Sequence, residues 1–165
     1  MSEATSNYIE QGRRLAENPD KLTEPQRLHR LFELEWDYQM EDNPIFATYN
    51  GIPGKNHRWP DMSLAEVARR KKDWHVWCKT LKSIDRTQLS QEDKLSWDLF
   101  KYYLDDSIES TAFPTELLAI SQMDGPQRTI PFVMSIMPLF NLSDCENVLA
   151  RLRALPAYID QNIEL

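Results

Sequence analysis

Three histidines, two cysteines and a scatter of acids are the side chains here that could act on a substrate or hold a metal. The histidines are His29, His57 and His75, and the cysteines are Cys78 and Cys145. Zinc requires three or four convergent nitrogen, sulfur or oxygen ligands. None of the histidines begins a His-Glu-x-x-His helix pattern. His29 lies near Arg27 and Arg30, His57 sits beside Lys55 and Arg58, and His75 falls between Trp74 and Trp77. All three read as ordinary surface or half-buried histidines. There is no G-x-S-x-G nucleophile elbow and no glycine-rich phosphate loop. The acid pairs Glu41-Asp42 and Asp105-Asp106 are sequence neighbours. Adjacent helical residues point about 100° apart, so neither pair makes a catalytic dyad. The sequence therefore assigns no catalytic, cofactor-binding or metal residue.

The remaining reactive or aromatic groups read as packing. Cys78 and Cys145 lack a C-x-x-C spacing and read as free buried thiols. Trp36, Trp59, Trp74, Trp77 and Trp97 read as core and interface residues rather than a ligand cage. Glu35 falls on an apolar helix face. It is either a carboxylate at the edge of that stripe or a partly buried acid with a partner, since an unpaired buried carboxylate is costly.

The elements that position these residues are helical. At 165 residues, with 41% apolar and 27% charged side chains, the chain has the composition of one ordinary globular domain. Its net charge of −7 disfavours a nucleic-acid surface. The densest basic run, "RRKK" at 69–72, reads as a solvated helix face. The first residues, "MSEATSNYIEQGRR", carry no apolar signal core, and no stretch approaches the ~20 apolar residues of a membrane span. The chain reads as soluble, either cytoplasmic or, with a leader removed, periplasmic or secreted.

Residues 1–22 are polar and read as an N-terminal arm, frayed or forming a short helix. The helical region proper is 23–165. Thr23, Pro25 and Gln26 start a helix over about 25–41, with Leu28, Leu31, Phe32 and Tyr38 on one face. Asn43 and Pro44 start a short one that Gly51 closes. Ser63 and Glu66 start a third over 63–84, with Leu64, Val67, Ala68, Trp74, Cys78 and Leu81 inward. Ser90 caps a fourth over 90–110, with Leu95, Leu99, Tyr102 and Tyr103 on one side. Ser143 and Glu146 form a capping box for a fifth over 143–154, carrying Leu149 and Leu152. A last helix begins at Pro156.

Residues 114–140 break this pattern. "TELLAIS" suits an extended segment or a helical turn, and at most a minor strand is expected over 115–121. "DGPQ" reads as a turn, and "TIPFVMSIMPLF" holds a short apolar element between Pro131 and Pro138. The class is all-α, built of antiparallel helices with this one irregular Pro/Gly-containing insert. Apolar residues keep helical spacing to Leu165, which reads as an incomplete domain continuing beyond that residue.

Three stretches taken in order carry a family resemblance: "LHRLFELEWDYQMEDNPIFATYNG", "LSQEDKLSWDLFKYYL" and "QMDGPQRTIPFVMSIMPLFNLSDCENVLARLRALPAYIDQ". From about residue 25 onward the chain resembles the N-terminal part of the bacterial proteins grouped as domain of unknown function 885. That family is similar to helical zinc metallopeptidases. The resemblance implies a larger helical zincin-like fold around a substrate cleft, with the zinc-binding helix in the C-terminal half. Zinc is thus implied for the full-length family, but no family ligand falls on any position of this chain. The implied partners are the C-terminal half of the same protein and, for the full-length protein, a peptide substrate. The implied role is a non-catalytic N-terminal region of a metallopeptidase-like hydrolase. The alternative is a free-standing helical protein–protein interaction module. Ile130, Phe132, Val133, Ile136 and Met137 would pack against the C-terminal half in the first case and close this chain's own core in the second.

Overall fold

A computed structural model describes residues 3–18, 20–118 and 120–165. The portions of the N-terminal arm at Met1, Ser2 and Pro19, and of the 115–121 segment at Ala119, lie outside the described residues. The architecture is all-α, with no strand among the described residues. Its helices are α1 (Glu3–Glu17), α2 (Glu24–Asp42), α3 (Pro44–Tyr49), α4 (Leu64–Lys82), α5 (Gln91–Ser110), α6 (Pro126–Ile136), α7 (Leu142–Arg153) and α8 (Leu155–Glu164). Short 3-10 turns occupy Arg86–Gln88 and Thr115–Leu117. The chain divides into two compact units. One comprises residues 1–38 and 68–113, and the other residues 39–67 and 114–165.

Local chemistry explains most helix starts. The Ser90 hydroxyl accepts from the Asp93 amide at 3.0 Å, and the Asn43 side chain accepts from the Phe46 amide at 3.1 Å. The Thr23 amide donates to Gln26 Oε1 at 3.0 Å. Each bond satisfies an amide that a helix start or its approach would otherwise leave open. Gly51, with φ +71°, follows α3 in the left-handed region that glycine tolerates. At α7 the cap is not Ser143 but Asn141, whose side chain accepts from the Asp144 amide at 3.0 Å. Asn is a strong N-cap, and its use in place of Ser143 adds two residues, Leu142 and Ser143, to the start of the helix.

The insert departs further from expectation. "DGPQ" is not simply a turn. Gly125, with φ 134°, leads straight into α6, and Pro126 takes a first-turn position where its missing N–H costs nothing. The helix then runs through Pro131 and ends before Met137. Reading Pro131 as a boundary followed from the usual cost of about 3 kcal/mol for an interior proline. Burial of Val133 and Met137 on one side of this segment supplies the opposing force.

The first unit has a continuous core of Ile9, Leu15, Leu28, Leu31, Leu34, Tyr38, Trp77, Cys78, Leu81, Ile84, Leu89 and Leu104. The N-terminal arm is thus a packed helix over Glu3–Glu17. Thr5, Ile9, Gly12 and Leu15 form its buried stripe. On α4, Trp77 is fully buried, while Leu64 and Ala68, expected inward, are exposed. On α5 the expected face is largely reversed. Leu95, Leu99 and Tyr102 face solvent, and Trp97, Phe100, Leu104 and Ile108 turn inward. This helix is apolar on two sides, so its periodicity alone did not orient it.

Arg27 ties three segments of this unit together. Its Nη2 donates to the carbonyls of Leu15 and Ala16, both at 3.2 Å, and its Nη1 to the Ser83 carbonyl at 2.9 Å. The carbonyls near the ends of α1 and α4 thereby gain donors that the helices do not supply. Glu24 balances the charge at 2.9 Å and also accepts from the Asp85 amide at 2.7 Å.

The close approach of α1 to α4 is set by Gly12. A Cβ at this position would meet Cζ3 of the fully buried Trp77 at 2.7 Å. Gly12→Ala should therefore lower stability by about 1–2 kcal/mol in urea denaturation. The overpacking outweighs the roughly 1 kcal/mol that alanine gains in helix propensity. A more stable variant would show that α1 does not pack as described.

Candidate functional site

The second unit is organised by a buried cation. α7 was expected to carry Leu149 and Leu152 inward. Both are exposed, and Arg151 between them is fully buried. Its Nε donates to the Arg58 carbonyl at 2.9 Å and its Nη1 to Thr48 Oγ1 at 3.0 Å. Its Nη2 donates to the carbonyls of Pro44 at 3.3 Å and Lys55 at 3.2 Å. The guanidinium also lies 5.5 Å from the Trp59 ring centroid. Trp59 returns a bond from its indole N–H to the Arg151 carbonyl at 2.8 Å and stacks on Tyr158 at 4.6 Å. One side chain thus holds α3 and the following Pro/Gly-rich loop against α7. Burial pushes the Arg151 guanidinium down to about 10, which still leaves it charged at neutral pH.

The loop it holds is cationic. Glu41 accepts from both Lys55 and Arg58, the latter at 2.9 Å. Burial raises the Glu41 carboxyl, but the hydrogen bonds from Lys55 and Arg58 outweigh this and the group lies below its ordinary value. His57 is pushed below its ordinary value of 6.5 by burial first, then by the charges of Arg58, Arg151 and Lys55.

The insert serves the core and the surface at once. Val133 and Met137 are buried, Ile130 and Ile136 are half-buried, and Phe132 is 46% exposed. Around it the chain presents Leu117, Leu118, Ile120, Met123, Leu139 and Leu142, all more than half exposed, and Phe140 at 92%. Isolated exposed apolar residues are ordinary, whereas residues 117–142 carry several of them within one stretch of chain.

In the first unit the acid on the apolar face is buried. Glu35 is 8% exposed, and its charge, after burial, helps push the nearby Tyr103 phenol up to about 12. One turn along, the Tyr38 hydroxyl donates to Asp73 at 2.8 Å and accepts from Arg69 Nη1 at 2.9 Å. Arg69, the first residue of the basic run, also bonds Asp73, so it turns inward while Lys72 faces solvent. Sequence reasoning missed this cluster. The i,i+4 spacing of Arg69 and Asp73 was its one visible signal.

The histidines are dispersed. His29 meets Asp93 at 3.0 Å, His57 sits among cations, and His75 borders a cleft with Lys79 and Arg13. Cys78 is buried, with Sγ 3.9 Å from Asp105, whereas Cys145 is exposed, contrary to expectation. Asp105 pairs with Lys101. Among the described residues no three His, Cys, Asp or Glu side chains converge as a metal requires. The described residues therefore assemble no donor set of the kind zinc takes. No helix among the described residues is long and apolar enough to cross a membrane.

Fold and surface together define an all-α protein whose buried polar groups bind helices to one another and whose 117–142 stretch exposes several large apolar side chains. Residues 44–165 match the family described as bacterial protein of unknown function (DUF885), and the chain belongs to that family. No curated protein and no solved structure matches it.

Arg151→Ala should cost about 3–5 kcal/mol in urea denaturation, because it leaves several buried acceptors without donors. Amide exchange should accelerate through residues 44–62. A loss below about 1 kcal/mol would show that the loop does not depend on this side chain. The loop also sets a pH dependence. The unfolded chain takes up a proton at His57 near pH 6.5, which the folded chain resists. The His57 contribution is thus fully present above pH 6.5 and is lost as pH falls toward the lowered folded value. Between pH 7.5 and pH 5 the parent should lose more stability than His57→Gln. Equal losses would contradict the cationic surroundings.

Proposed function

We propose that this chain is the N-terminal, non-catalytic helical region of a zinc-dependent metallopeptidase-like hydrolase. Its partner is the C-terminal half of the same polypeptide, and a peptide is the substrate of the whole. Membership of the bacterial family supports the reading at its coarsest level. The observation that carries the finer one is the apolar face over residues 117–142, with Phe140 at 92% exposure. Burying a side chain of this size contributes roughly 1.5–3 kcal/mol, so several of them on one segment favour a permanent cover over open solvent. On this reading the helices of this chain supply a wall and a docking face. The metal, the nucleophilic water and the proton transfers belong to residues elsewhere, and no step of hydrolysis is assigned to this chain. The Arg151-held loop and α6 keep the face in shape, since α6 packs on α3 and Phe132 meets Tyr49 at 6.2 Å between ring centroids.

The competing role is a helical module that binds a separate protein through the same face. Hydrogen exchange separates the two. It is measured on this chain alone and on the longer polypeptide encoded by the same reading frame. Amides over residues 117–142 should exchange at least about tenfold more slowly in the longer polypeptide. Unchanged exchange, or a reading frame encoding nothing further, would overturn the proposal in favour of the module.

A further inference from the structure

We propose that the cleft between α1 and α2 is a binding site for a short apolar peptide carrying free amino and carboxyl ends. The cleft has a volume of about 690 Å³, within the usual range of ligand sites. It lies in the first unit, in residues that precede those matched to the family, and the inference stands apart from the proposed function.

The floor and the rim differ in chemistry. Leu15, Leu22, Pro25 and Leu34 line the apolar part. Gln11 and Gln26 add carboxamides. Gln26 Oε1 takes the Thr23 amide and hydroxyl at 3.0 Å each, and Gln11 Oε1 takes Arg30 Nη2 at 3.0 Å. Both side chains thus turn their acceptors to the protein and keep their –NH₂ groups as donors for peptide carbonyls.

Charge then selects the ligand. The rim holds two permanent opposite-charge pairs, Arg14 with Asp20 at 3.1 Å and Arg30 with Glu33 at 3.0 Å, and His29, whose Nε2 lies 3.0 Å from Asp93. All four side chains are substantially exposed. Exposed pairs contribute little to stability, so the ends of a ligand can replace one member of each at small cost. A carboxylate end suits a guanidinium, bidentate where geometry allows, and an ammonium end suits Asp20 or Glu33. The two cations are matched by two anions, so a polyanion would bring charge the rim cannot balance. A purely apolar ligand would leave the rim unused. A zwitterion with an apolar body uses both parts.

The test is a titration of the full 165-residue chain with trileucine, followed by calorimetry and by backbone amide shifts. Saturable binding is expected, with shifts confined to residues 11–34. The same peptide acetylated at its amine and amidated at its carboxyl should bind about tenfold more weakly, because each end loses a charge-assisted hydrogen bond. Arg30→Gln and Asp20→Asn should each weaken free trileucine by about fivefold to tenfold and leave the capped peptide unchanged. These two exposed side chains lie on different segments, so if one variant fails to fold the other still decides. Three results would overturn the proposal: no saturation up to roughly 10 mM, equal binding of free and capped peptide, or shifts centred on residues 117–142.

Discussion

Buried guanidinium groups that serve backbone carbonyls are the interaction on which both units depend. A helix leaves its last four carbonyls without intrahelical donors, and a Pro/Gly-rich loop leaves more. Arg27 supplies the ends of α1 and α4, and Arg151 supplies Pro44, Lys55 and Arg58. Arginine suits this task because one planar group offers five donors in a fixed fork. The two sites differ in how charge is handled. Arg27 has Glu24 beside it, whereas the acceptors around Arg151 are carbonyls, a hydroxyl and the face of Trp59.

That difference shapes the surface above each site. The Arg151 charge is not cancelled by a carboxylate bonded to it, and its field reaches His57 along with those of Arg58 and Lys55. Glu41 is held by Lys55 and Arg58 at the edge of the same loop. The loop is therefore anchored at two places, by a buried fork beneath it and a carboxylate clamp beside it. A fixed loop holds α3 in place, and α6 packs on α3. The exposed apolar residues over 117–142 thus flank a helix set on a fixed framework. On the proposed function, the covering half would dock on a shape already formed and lose little ordering entropy there.

The first unit solves a different problem. Its core is aliphatic and aromatic, yet two acids and an arginine enter its margin. Asp73, Tyr38 and Arg69 are hydrogen-bonded to one another, and Glu35 is buried one turn away. Removing any one partner would strand the others, which makes the cluster a specifier of register between α2 and α4 rather than a source of net stability.

The sequence by itself determined most of the helices and several of their starts, α6 being the one it did not show. Ser90, Asn43 and the Thr23–Gln26 pair are local signals, and a cap needs only a side-chain oxygen within one turn of an open amide. The same locality explains why no catalytic set could be assigned, since each histidine was legible beside its own neighbours. Only the tertiary structure decided which faces turn inward. α5 is apolar on two sides, and the partners of Trp97 and Leu104 chose between them. α7 defeats hydrophobic periodicity outright, burying Arg151 between exposed Leu149 and Leu152. The acceptors that make this burial tolerable lie about a hundred residues earlier in the chain. The stripe on α1 was hidden for a similar reason. Gly12 counts for nothing in an apolar pattern, yet its missing side chain is what admits the ring of Trp77. Such choices depend on pairs distant in sequence, and a pattern read along one helix contains only half of each pair.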